Sequence, residues 1–138
     1  MVTQASRSLT ARIVHAAIML GVIMMAAIAI GLRISRTFTG ETRGSAILGI
    51  ALVAGALGGF AGAVITRRTL VARGRAESVD AWWATNLGRA IVIWALAEAG
   101  AVIGLVLYLL QGTLVGLVLG GAGLAGLALA APRRLENA

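Results

Sequence analysis

The chain has 138 residues, 59% of them hydrophobic and 12% charged, with a mean hydropathy of +0.96; water-soluble domains carry about a quarter charged residues, so this composition argues against a soluble fold. Its formal charge of +7 comes from twelve basic residues, all arginines that fall between apolar runs without base-stacking aromatics among them, which argues against a nucleic-acid partner. With no cysteine, disulfides, iron–sulfur clusters and thiolate metal sites are excluded, and no metal site is expected.

Four apolar runs predict an all-α integral membrane protein, a tight bundle of four transmembrane helices in a single transmembrane domain over 1–138. Each run is about 20 residues, enough at about 1.5 Å per residue to cross a hydrocarbon core of roughly 30 Å. The first covers 13–32. Arg7 and Arg12 precede it as they would a secretory signal, but the run is longer than a signal core and has no convincing cleavage site. His15, the sole histidine, lies near its start. With Ala11 one turn before it, His15 could be an axial ligand to a flat macrocycle such as haem.

The second run covers 45–65 and carries Gly55, Gly58, Gly59 and Gly62 on one face, a pattern that lets helix backbones approach closely. A polar, basic loop follows over 66–89. Within it Ser78 is a plausible N-cap with Asp80 in the first turn, so a helix is expected to lie at the interface or run into the next span. Trp82 and Trp83 are expected as membrane-interface anchors, as is Tyr108 near the far end of that span.

The third run covers 90–110. Its small residues Ala97, Gly100 and Gly104 form one stripe for a neighbouring helix, whereas Glu98 points elsewhere, with Trp94, Ala95, Val102 and Leu105. The dipeptide Gln111-Gly112 leads straight into the fourth run, 113–131, so these two helices are expected as an antiparallel hairpin. Gly112, Gly116, Gly120, Gly123 and Gly126 repeat the close-packing pattern, and Pro132 ends the helix. Arg7 and Arg12, five arginines of the 66–89 loop, and Arg133 and Arg134 make nine on one side against Arg33, Arg36 and Arg43 on the other. The positive-inside rule then puts both termini in the cytoplasm, as a multi-pass protein of the bacterial inner membrane.

Glu98 is the only acid in any span, nine residues after Arg89 and twelve before Leu110. An ionised carboxyl at mid-bilayer costs at least a few kcal/mol, so the side chain is expected protonated unless a cation or a water path reaches it. Ion or proton handling is one reading; a hydrogen-bonded carboxyl that glues two helices together is the other. His15 is offset from Glu98 by about 9 Å in depth, which keeps the two from pairing. No nucleophile, base and orienting acid come together, so no catalytic residue is assigned and a non-enzymatic protein is expected.

The stretch Ala95-Leu96-Ala97-Glu98-Ala99-Gly100-Ala101-Val102-Ile103-Gly104-Leu105-Val106-Leu107, after a glycine-rich helix and a basic loop, resembles the carboxylate-bearing hairpin of the rotor-ring proteolipids, the c/K subunits of F-type and V-type ATP synthases. The resemblance covers roughly 45–110. It implies that Glu98 is the ion-binding acid, with the loop on the cytoplasmic side. For an ion at Glu98, protons suit the site better than sodium, since Ala99 follows the acid and the second span offers no Ser, Thr or Gln beyond Ser45. The chain as a whole, with its Trp-Ala-Leu-x-Glu helix, Gln-Gly turn and final Pro-Arg, also resembles small uncharacterised bacterial four-helix membrane proteins. The functional expectation is a membrane subunit that packs in lipid into a homo-oligomer or with other membrane subunits, with no cofactor and no soluble substrate. The alternatives are a small four-helix cation or drug transporter and a structural or pigment-binding accessory subunit of an energy-converting complex.

Overall fold

The computed structural model describes residues 6–35, 46–74 and 77–137. Ser45, Arg36, Arg43 and Arg75, which entered the span limits and the charge count, lie outside them. The secondary structure of the described residues is all helical, in the order α1 (Arg7–Ile34), α2 (Ala46–Arg67), α3 (Val79–Gln111), α4 (Leu114–Leu129) and the short α5 (Pro132–Leu135). The first three are each long and apolar enough to cross a membrane; α4 is apolar but shorter, at 16 residues.

Local chemistry sets the helix limits. The Ser6 side chain accepts a hydrogen bond from the Leu9 N–H and Ser78 Oγ from the Ala81 N–H, each satisfying a first-turn donor that has no partner within its own helix. Hydropathy marked the third span only from residue 90, yet α3 begins at Val79. The cap and a stretch without Pro carry the helix across the polar segment, and at 33 residues it runs about 50 Å, beyond the thickness of the hydrocarbon. Gly112 closes it with a φ of 66°, a left-handed conformation that only glycine adopts without strain. A Cβ there would also meet the Arg33 guanidinium, whose Cζ lies 2.7 Å from that position. Pro132 does two things at once. It follows the end of α4, and it opens α5 at a first-turn position where its missing N–H costs nothing.

The central helix is α3, with α1, α2 and α4 all packed against it, and α4 also touches α1 and α2. Contacts at both ends give the directions. The Ser8 N–H donates to Asp80 Oδ1 at the start of α3, and Arg33 Nε donates to the Tyr108 carbonyl at its end, so α1 runs parallel to α3. Both α2 and α4 run antiparallel to it: the positions facing Gly59 and Gly49 are Leu96 and Gln111, and those facing Gly116 and Gly123 are Tyr108 and Ala101. The result is an up-down-up-down bundle.

The glycines of α3 serve two neighbours. A Cβ on Gly100 would lie 2.9 Å from the Ala56 carbonyl of α2, and one on Gly104 would lie 2.8 Å from the Gly120 amide of α4. The single stripe read from the sequence is therefore split between two helices. Gly55, Gly59, Gly62, Gly116 and Gly120 all face neighbours within the chain, whereas Gly58 and Gly126 face open space. Close helix approach, with the dispersion contacts it brings, is thus spent inside one chain.

Candidate functional site

Two polar regions stand out. One lies where α1 and α3 begin and α2 and α4 end; the other surrounds Glu98 within α3.

The first is built by aromatic side chains of α3. Trp83 and Trp94 are eleven residues apart, about three helical turns, so they share a face. Both are fully buried, and Trp82 is 1% exposed. The tryptophans at 82 and 83, expected as interface anchors, are turned into the protein. Each indole N–H has a partner there: Trp82 donates to the Val71 carbonyl at 2.7 Å, Trp83 to Glu136 Oε1 at 2.8 Å, and Trp94 to the Ala130 carbonyl at 2.7 Å. A buried indole nitrogen without an acceptor would be costly, which is why each points at an oxygen.

His15 belongs to the same network. Its Nε2 lies 2.9 Å from the Leu127 carbonyl, which can only accept, so this nitrogen carries the proton. The imidazole packs edge-on to Trp94, with ring centroids 5.1 Å apart. Nε2 is thus committed to a helix carbonyl and the ring to an indole, so a ligand role would fall to Nδ1. His15 and Trp94 together satisfy carbonyls at the C-terminal end of α4, where intrahelical donors run out.

Asn86 is the buried amide of this end, 1% exposed. Its Oδ1 accepts from the Val71 N–H, and its Nδ2 donates to the Trp82 carbonyl. With the Trp82 indole on the Val71 carbonyl, both backbone groups of Val71 are held by α3, and the chain leaving α2 is fixed in place. Glu136 closes the arrangement: besides accepting from Trp83, it sits 4.0 Å from Arg12 Nη2, a long pair to a half-exposed arginine that contributes little.

The second region is different in kind. Glu98 is partly exposed, on the border between buried Trp94 and Leu105 and exposed Ala95 and Ala99. Its Oε1 lies 3.8 Å from where a Cβ on Gly21 of α1 would stand, so the carboxyl occupies the seam between α1 and α3 where a glycine leaves room. Gly21 is itself exposed, so the seam opens to the outside of the bundle. It lies six residues, about 9 Å, along α1 from His15. Among the described residues no donor hydrogen-bonds to Glu98 and no cation pairs with it. Nor do they contain a group of acids or histidines able to hold a metal ion.

Tyr108 is partly exposed at the opposite end of α3. Its ring lies 5.9 Å from the Arg33 guanidinium carbon, and its carbonyl accepts from both Arg33 and the Gly112 amide. A cation on the last carbonyls of a helix suits the negative end of its dipole.

Asn86 and Glu136 are not marked by the sequence pattern, which places Trp94 only beside Glu98. The eleven-residue spacing of Trp83 and Trp94 and the four-residue spacing of Trp82 and Asn86 were visible signals of one inward face. The return of Glu136 to the start of α3 was not, because it depends on how α4 and α5 end.

No protein-family model, no curated protein and no solved structure matches the chain.

Proposed function

We propose that this protein is a non-enzymatic, four-span subunit of the bacterial inner membrane, with both termini cytoplasmic, whose Glu98 is a protonatable carboxyl presented sideways to a partner in the bilayer. Three helices of spanning length and a shorter apolar α4 joined to α3 by a tight turn support the span count. The clustering of Arg7, Arg12, Arg67, Arg68, Arg133 and Arg134 at the end shared by both termini supports the orientation.

The observation that carries the functional part is that Glu98 has no partner among the described residues. A carboxyl that served only to glue two helices would have its hydrogen bond within the chain, as Trp83, Trp94 and His15 do. Glu98 instead faces an open seam, at a depth where a charge is costly. Such a group takes up and gives back a proton when a cation, a donor or a file of water comes alongside. This is also what the resemblance to rotor-ring proteolipids implies for it. The partner is a second copy of the chain or another membrane subunit.

The test is modification by a hydrophobic carbodiimide in native membranes. Wild type is expected to be labelled at Glu98, with Glu98→Gln unlabelled. Labelling confined to Glu77, Asp80 and Glu136, with Glu98 untouched, would show that the carboxyl is not accessible from the bilayer and would remove the basis of this reading.

A further inference from the structure

We infer that the pocket beside Arg67 is a binding site for the phosphate headgroup of an anionic phospholipid. The pocket has a volume of about 200 Å³ and is bounded by Arg67, Leu70, Val71, Ala72, Trp82 and Leu135. Its lining is apolar apart from one guanidinium. The indole nitrogen of Trp82 is already spent on the Val71 carbonyl, so Arg67 is the group available to an incoming ligand.

Arg67 has no competing task. It is the last residue of α2 and is exposed. The terminal carbonyls of that helix are taken by other donors: Ile65 by the Arg68 amide, Thr66 by the amide and hydroxyl of Thr69, and Arg67 by the Leu70 amide. The nearby acids are occupied as well. Asp80 accepts from Ser8, Glu136 from Trp83, and Glu77 from the Gly74 amide. Among the described residues, neither Arg67 nor Arg68 pairs with a carboxylate. Apart from the long Arg12–Glu136 pair, the positive charge at this end of the bundle has no carboxylate counterion among the described residues and calls for an anion.

The exposed face of α2 says which anion. Leu57 and Val64, 54% and 56% exposed, are seven residues apart and share a face. Val64 stands three residues before Arg67 and four before Arg68, so an apolar track leads up to the two guanidinium groups. A phospholipid fits both parts, with phosphate at Arg67 and an acyl chain along Val64 and Leu57. A free phosphate ion would leave the track unused. The inference rests on the membrane-embedded reading and is independent of Glu98.

The experiment uses the full chain in detergent micelles, with tryptophan fluorescence read against added phosphatidylglycerol or phosphatidylcholine carrying brominated chains, which quench at short range. Because Trp82 bounds the pocket, phosphatidylglycerol is expected to quench at about fivefold lower concentration than phosphatidylcholine, the preference that one arginine near a headgroup supplies. Arg67→Gln is expected to abolish that preference, and inorganic phosphate at equal concentration to leave it unchanged. Equal quenching by the two lipids in wild type would overturn the site while leaving the membrane reading intact, and it needs no variant to fold. Displacement by inorganic phosphate would overturn the lipid assignment in favour of a free-anion site. Quenching by neither lipid, in a chain that stays soluble without detergent, would instead defeat the membrane reading.

Discussion

The aromatic end of the bundle and the seam at Glu98 treat polar groups in opposite ways. At the aromatic end, three indole N–H groups, one imidazole and one amide each have a defined acceptor, and four of the five acceptors are backbone carbonyls. In the seam a carboxyl stands with no partner among the described residues, against a glycine and open to the outside. Satisfied polar groups fix a structure, and an unsatisfied one lowers its stability. On the proposed function, this difference is what leaves Glu98 open to a group from outside the chain.

The contrast can be broken most forcefully at Trp94. Trp94→Ala removes a fully buried side chain, the partner of His15 and the donor to Ala130, and is expected to cost about 3–5 kcal/mol. A thermal or denaturant melt in detergent checks it; a loss below about 1 kcal/mol would mean that this end does not hold the bundle together. Next is Gly116→Ala. Its Cβ would meet backbone, with the Gly104 carbonyl 2.7 Å away and the Tyr108 amide closer still. Backbone cannot swing aside, so about 1–3 kcal/mol is expected. Gly126→Ala, with open space at that position, is the control and should lose nothing. Trp83→Phe is the milder probe of the aromatic end. It keeps most of the ring but leaves Glu136 without its indole donor, for an expected loss of about 1 kcal/mol. Pairing it with Glu136→Ala in a double-mutant cycle should show coupling, because each change removes the same bond.

What the sequence disclosed follows the same division. Apolar runs of spanning length located α2 and α4 to within two residues of their limits, whereas α1 begins at Arg7, six residues before its run, because the Ser6 cap and not hydropathy starts it. They failed for α3, whose first eleven residues, from Val79 to Arg89, are polar enough to resemble a loop. Helix formation depends on caps and backbone hydrogen bonds, not on hydropathy, and Ser78 was the true marker. Paired tryptophans beside a span usually meet headgroups, so the sequence alone predicts interface anchors at 82 and 83. Acceptors from the chain after α2 and from Glu136 turn them inward instead, and neither is near in sequence. Glu98 was legible as an oddity from its position alone. That it faces Gly21 required the packing of α1, which no periodicity within α3 contains. The glycine faces were legible as close-packing surfaces, but not whether the neighbour belonged to the same chain.

The comparison is sharpest where the expected effect is smallest. Glu98→Gln preserves shape and removes only the ability to carry a proton. If the carboxyl were part of the packing, as the aromatic nitrogens are, the amide would disturb a hydrogen bond and the melt would shift by about 1 kcal/mol. With no partner to lose, the variant should melt within about 0.5 kcal/mol of wild type. Glu98→Leu should match or exceed wild type, since an apolar group replaces a polar one that has no bond. Both variants should at the same time lose carbodiimide labelling in membranes. Stability kept while reactivity is lost separates a carboxyl held for use from one held for packing. A destabilised Glu98→Gln would return the residue to the class of Trp83 and Trp94.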